Sequence, residues 1–416
     1  MHLSTLGRLA LSIVAFSPVP LAAQDAPLTI AMHYTQAQAA PLIACLDAYE
    51  RDGQTARYQQ ITYGDYLQTV LTGRLAGQAP DIYNVNSIWA AQMVDNSVLA
   101  EPPQDMIQFV QDGYNSGTVD AATINGTLWG VPTEVSVYML VSNMALLREA
   151  GFDAPPSSWD ELREIAKAVS TRDGQGRIST AGFAFAQSST GAGLVHPYYA
   201  LMYSSGSDIY GEDFSTANLD SPASLETARR MAGLVQDGIT DLSIDAYDFP
   251  AGGIGMVIMA NWVESEIRDG LGEDFENVTV SPIPMGEDWR TLQYAFFMGV
   301  DSASTRTEAA WDLVRYLNEP RDGEPSCVAQ MLDGMGALTA SVADTAALPA
   351  PDEFTAPYVE ALADERAISQ PNVMQAAEIE RMIARTLEEV IGGAADPQAS
   401  LSALNGEVED ILFEFY

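Results

Sequence analysis

Positive charge is what this chain most lacks. Of its 416 residues, 19 are Lys or Arg against 57 Asp or Glu, a formal net charge of -38. Lys167 is the one lysine. Nucleic acid is gripped by basic patches that release counterions, so this balance argues against a nucleic-acid partner and against docking on an anionic membrane surface. Cysteine is nearly as scarce, with Cys45 and Cys327 alone, and the histidines are His2, His33 and His196. A metal centre needs clustered ligands at set spacing, and none are present. Also missing are a G-x-S-x-G elbow, a P-loop and a complete G-x-G-x-x-G. A Ser-x-x-Lys site is blocked by Glu164, three residues before Lys167. Asp173-Gly174-Gln175-Gly176 lacks the spaced oxygens and closing Glu of a calcium loop and reads as a turn.

What is present is a large apolar complement. Hydrophobic residues make up 47% of the chain, enough for real cores, and the length suits two or three domains. At the start, Arg8 precedes the apolar run Leu9 to Phe16, then Pro18, Pro20 and Leu21-Ala22-Ala23 before Gln24. This three-part layout reads as a secretory signal peptide over 1–23, cut after Ala23. No Cys follows the cut to carry a lipid, and no later stretch is long and apolar enough to span a bilayer. The product is expected in a periplasm. That oxidising compartment permits a Cys45–Cys327 disulfide, and two unpaired buried thiols fit the sequence equally.

Periodicity then alternates between strand and helix. Leu28 to Met32 (LTIAM) reads as a buried strand, Pro41 to Glu50 as a helix, and Tyr58 to Thr62 as a second strand. Tyr66 to Leu75 has helical spacing, and Ile82 to Val85 follows as a third strand. Such alternation predicts a parallel, helix-covered sheet. Ser158 with Glu161, and Thr305 with Glu308, have the capping-box spacing, while Asp220-Ser221-Pro222 marks another helix start. Val278 to Thr291 suits a crossover, and Pro349 to Phe354 a surface loop.

Several segments, in order, resemble one known family. Gly77-Gln78-Ala79-Pro80-Asp81-Ile82 resembles "aGxxPDv", and Asn125-Gly126-Thr127-Leu128-Trp129-Gly130-Val131-Pro132 resembles "dGkxyGvP". Pro155-Pro156-Ser157-Ser158-Trp159-Asp160-Glu161-Leu162 is similar to "PPxTWdEL", and Phe249 through Asn261-Trp262 to "FxxGxxaMxxxgxW". Pro282-Ile283-Pro284-Met285-Gly286 and the Ala309 to Leu317 stretch match two further motifs, while Ser369-Gln370-Pro371-Asn372 matches the last segment loosely. These are motifs of family 1 extracellular solute-binding proteins, the maltose-binding-protein-like class of ABC sugar importers.

The resemblance implies an α/β, two-lobe periplasmic binding protein fold (type II-like), each lobe a helix-flanked sheet, joined by a hinge. Its expected division is 24–131 and 291–344 in the N-terminal lobe, with 132–290 and 345–416 in the C-terminal lobe. The implied role is capture of a sugar or small glycoside for a membrane permease, by a monomer, with no cofactor and no catalysis. The same fold could hold a polyol, a glycerol phosphate-type ligand or a sulfonated sugar, although anionic cargo would call for convergent Arg. A secreted glycoside hydrolase using paired carboxylates is the enzymatic alternative, with no motif in its favour.

A sugar offers hydroxyls at its edge and C–H groups on its faces, so its site needs polar rims and aromatic planes. His33 and Tyr34 fall just past the first strand, where parallel sheets place ligands. Asp65 opens the second helix, either as a ligand contact or as its N-cap; Asn86 and Ser87 follow the third strand. Trp129, Ser136 and Tyr138 flank the first crossover, Thr190 and His196 lie in the C-terminal lobe, and Tyr294, Phe297 and Gly299 lie on the second crossover. Trp262 matches the family's stacking aromatic.

Overall fold

The computed structural model describes residues 26–51, 53–186, 193–286 and 288–416. The signal-peptide segment 1–23 and Thr190 lie outside the described residues. Strand β1 (Leu28–Met32) is buried on both faces, which is why its sequence is apolar without alternation. Helix α1 (Ala40–Ala48), strand β2 (Ala56–Gln60), helix α2 (Tyr66–Leu75), strand β3 (Ile82–Asn86) and helix α3 (Ser87–Asp95) follow. Both β2 and β3 pair with β1 in parallel, with Ile30 opposite Tyr58 on one side and Ile82 on the other.

Two long strands carry the chain onward. β4 (Val131–Asn143) is buried at every position and is followed by α4 (Trp159–Val169), α5 (Val195–Ser204) and α6 (Pro222–Gln236). Strands β5 (Met256–Ala260) and β6 (Val278–Ser281) precede β7 (Thr291–Asp301), which is also buried throughout. The early part of β4 pairs antiparallel with β7, Ser136 opposite Tyr294. Its later part pairs with β5, Tyr138 opposite Ala260, and with β6, Asn143 opposite Val278. β7 also borders β3, Phe296 opposite Asn86, so the strand order is β5-β4-β7-β3-β1-β2. The strand β4 thus threads two helix-covered halves. Where β4 begins, a Cβ on Gly130 would sit 2.3 Å from the Met298 carbonyl oxygen, so glycine is required for the strands to approach.

After β7 come α7 (Thr307–Asn318), α8 (Cys327–Asp333) and, later, α9 (Ala376–Ile391). Buried Ile379, Ile383, Leu387 and Val390 form the inward stripe of α9, which packs on α6 and α5. Ser158 caps α4, accepting from the Glu161 N–H at 3.2 Å, and Ser221 caps α6 with Pro222 in the first turn. Glu161 does not return its carboxylate to Ser158; it accepts from the N–H and hydroxyl of Ser157 at 2.7 and 2.6 Å. The box expected at Thr305 does not form. α7 starts at Thr307 without a side-chain cap, because Asp81 organises the preceding turn, accepting from Ser304 Oγ and the Arg306 guanidinium, both at 2.7 Å. Asp173 to Gly176 is the turn between strands Thr171–Arg172 and Ile178–Thr180. Among the described residues, no helix is long and apolar enough to cross a membrane.

Cys45 on α1 and Cys327 at the start of α8 form a disulfide between segments 282 residues apart. It ties the first helix of the chain to a helix that returns after β7. Closing so long a loop restricts the unfolded chain strongly, so reduction should lower unfolding free energy by about 2–5 kcal/mol. Urea titration with and without dithiothreitol measures this; coincident midpoints would contradict it.

Candidate functional site

Aromatic rings and buried polar groups converge where β4 and β7 run between the halves. Side chains alternate along β4, so Glu134, Ser136 and Tyr138 share one face and Val135 takes the other. Glu134 is buried; its carboxylate accepts from the Tyr34 hydroxyl and from Ser136 Oγ at 2.7 Å. Desolvation pushes its carboxyl above the usual carboxylate range, and these two hydrogen bonds oppose the rise. The Tyr34 phenol is driven well up, by burial first and then by the Glu134 charge.

From the first half come His33 and Tyr34, beyond the C-terminal end of β1, and Asn84 and Asn86 on β3. The His33 ring stacks on Phe296 with centroids 4.7 Å apart, and its Nδ1 lies 3.2 Å from Asn84 Nδ2. Burial lowers its pKa to about 3, leaving the imidazole neutral and able to accept. Asn86 caps α3 by accepting from the Ile88 N–H, and its Nδ2 donates to the Tyr63 hydroxyl at 3.1 Å. Buried Ser87 donates to Asn86 Oδ1 at 3.5 Å. Trp89 backs the group, stacked on Tyr66 and 5.0 Å from the Tyr63 ring.

The second half supplies a relay from Tyr138 through His196 to Glu380. The Tyr138 hydroxyl is 2.8 Å from His196 Nδ1, and His196 Nε2 is 3.3 Å from Glu380 Oε1, which also accepts from Gln370 Nε2. Tyr294 joins the halves, its ring 5.4 Å from His196 and 5.9 Å from Phe296. Burial and then the Glu134 charge raise its pKa. Trp262 itself packs 5.9 Å from Tyr247. Among the described residues, Asn84 Oδ1, Gln370 Oε1 and Trp262 Nε1 are buried without a hydrogen-bond partner.

Of the residues singled out in the sequence, His33, Tyr34, Asn86, Ser87, Ser136, Tyr138, His196, Trp262 and Tyr294 are brought together here. Asp65 is not: it is exposed at the head of α2, and its side chain makes no capping bond. Trp129, Phe297 and Gly299 sit by Gly130 instead, where the Phe297 ring and the Trp129 carbonyl crowd the two glycines. Successive strand residues face opposite ways, so Phe296, not Phe297, supplies the ring. Glu134, Asn84, Gln370, Glu380 and Tyr247 were not foreseen. Glu134 had a signal: it is the one charged residue in a strand buried at every position, two residues before Ser136.

A separate cavity of about 720 Å³ opens on the Val135 and Gln293 side of the crossing strands, lined also by Asn115 and Thr355 and by no aromatic residue. Among the described residues, no group of three or more His, Cys, Asp or Glu could hold a metal ion. The ring cluster is therefore the better candidate for a hydroxyl-rich guest.

The sequence model of bacterial extracellular solute-binding proteins matches residues 34–324. This chain belongs to that family. A binding protein of Brucella abortus is 25% identical to this solute-binding protein over 283 residues, 64% of this chain; the match spans 65% of the relative's length. The lactose-binding protein of Rhizobium radiobacter is 26% identical over 249 residues, 55% of this chain and 56% of the relative. In fold, the solute-binding protein is similar to the GacH receptor of Streptomyces glaucescens, solved unliganded and with acarbose. That TM-score is 0.80 at 19% identity, over 94% of this chain and 99% of the receptor. The two-lobe α/β architecture is thus that of sugar-binding proteins of known structure.

His33 provides a direct check on the enclosure. An ordinary histidine is charged at about pH 5, whereas His33 should remain neutral there by its ¹⁵N chemical shifts. A charged His33 at that pH would mean its ring is open to water.

Proposed function

We propose that this protein captures a sugar or small glycoside between its two halves and delivers it to the membrane permease of an ABC importer. The lobes would be 24–131 with 291–344 and 132–290 with 345–416, hinging at β4 and β7. The observation that carries the reading is the meeting of Tyr294, Trp262 and Phe296 rings with buried polar groups that lack partners. Flat rings suit the C–H faces of a pyranose, and the free acceptors and donor suit its hydroxyls. The acarbose complex of the similar receptor and the lactose-binding relative support the same guest class.

The centre of the cluster is buried, with Tyr138 2% and His196 1% exposed, while His33, Tyr63, Tyr247 and Trp262 are half-buried at its edge, so a guest that reaches the centre needs the halves to part. A guest touching both halves stabilises the closed form by its differential contacts and shifts that population. Closure would then be what the permease reads. Export with removal of 1–23, a periplasmic location and a monomeric state complete the proposal, and the net charge of -38 keeps nucleic acid out of it. No chemistry is assigned to Glu134 or Glu380 beyond binding: the first is engaged by Tyr34 and Ser136, the second by His196 and Gln370.

A thermal-shift screen of mono- and disaccharides should find members that raise the melting temperature. For such a sugar, Trp262→Ala should weaken calorimetric affinity by about 1–3 kcal/mol with the fold retained. Unchanged affinity would remove Trp262 from the site, and no stabilising sugar would overturn the reading.

A further inference from the structure

The charge of the cluster narrows the guest, and this step rests on the reading just given. Glu134 and Glu380 are 3% and 2% exposed. Glu134 meets hydroxyls only, from Tyr34 and Ser136; Glu380 meets the His196 imidazole and the Gln370 amide. The Tyr63 phenol, driven up by burial first, also feels both charges, Glu380 more than Glu134.

No guanidinium or ammonium answers them. The few arginines are committed elsewhere: Arg306 to Asp81 and Arg74 to Asp301 at the far strand ends, Arg268 to Glu264 and Asp352. Among the described residues, no Arg or Lys hydrogen-bonds a side chain of the cluster. A buried carboxylate without a cation is costly, and Glu134 responds with a raised pKa.

The unpartnered atoms point the same way. Asn84 is fully buried beside His33 and Tyr34, and its Oδ1 is an acceptor with nothing to accept. Gln370, 5% exposed and holding Glu380, has a free Oε1, also an acceptor. Trp262 Nε1 is the one unpartnered donor among the three. Such a wall asks its guest for donors and positive charge. An ammonium group has three donors and no acceptor, whereas phosphate or sulfonate would set anionic oxygens against the two carboxylates.

We propose that the guest is an amino sugar, its protonated amine held by Glu134, with Glu380 adding to the negative field, in a space between the halves that no Arg or Lys answers, and that anionic sugars are refused. The amine supplies the missing charge and fills acceptors, while the rings of Tyr294 and Trp262 cover the sugar faces. The hydroxyl analogue of the same sugar would bind through the same rings with the carboxylates uncompensated.

Calorimetry on matched pairs tests this: glucose and glucosamine, galactose and galactosamine, cellobiose and chitobiose, with the N-acetylated forms as uncharged controls and glucuronate as the anion. In at least one pair the amine should bind about tenfold or more tighter than its hydroxyl and N-acetyl counterparts, with glucuronate silent. Glu134→Gln or Glu380→Gln should shrink the ratio of amine to hydroxyl affinity several-fold, whatever the change in affinity for the neutral member; circular dichroism identifies a variant that fails to fold, and the other then serves. Hydroxyl members binding as tightly as the amines, or an advantage that survives both substitutions, would overturn the inference and leave sugar capture standing. No binding by any member would overturn both.

Discussion

Burial without compensation is the constraint around which this molecule is organised. Glu134 and Glu380 are removed from water, answered by hydroxyls, an amide and an imidazole, and ringed by Tyr34, Tyr63, Tyr138 and Tyr294. Desolvation drives the phenols of these tyrosines upward and His33 downward, so each is held in its neutral form. A space of this kind is expensive to keep closed when empty of partners for Asn84 Oδ1, Gln370 Oε1 and Trp262 Nε1. A guest that supplies those partners gains from groups already in place.

The two crossing strands make that arrangement possible. β4 and β7 are buried along their whole length, and β4 pairs first with β7 and then with β5 and β6, so it belongs to both sheets and one face of each strand lines the space between the halves. Alternation then separates functions by parity: Glu134, Ser136 and Tyr138 face the rings, while Val135 and Gln293 face the other cavity. Contributions from β1, β3, α5 and α9 reach the same place because both sheets present their loop ends there. The Cys45–Cys327 disulfide ties α1 to α8, stiffening one half as a unit.

Local patterns were legible in the sequence and long-range meetings were not. LTIAM marked β1 to its end residues, and the spacing from Tyr66 to Leu75 marked α2, because each reflects burial of a regular element. Ser158 and Ser221 announced their helices, since capping is settled within a few residues. Thr305 misled because Asp81, more than two hundred residues earlier, takes over that turn. At the site, positions at strand ends such as His33, Tyr34 and Asn86 followed from sheet geometry. Phe297 stood one residue off, since alternation from Tyr294 puts Phe296 on the ring face and Phe297 on the other. Glu380 was hidden because it sits in an ordinary amphipathic helix, and only the packing of α9 on α5 turns it toward His196.

The central claim is that guest recognition occurs on the Glu134 face of the crossing strands and draws on both halves at once. Diffraction from crystals grown with a sugar that raises the melting temperature tests it most directly. The account predicts density for the sugar bounded by Trp262, Tyr294, Glu134 and Glu380. Density confined to the cavity beside Val135 and Gln293, or to an outer surface of one half, would contradict it.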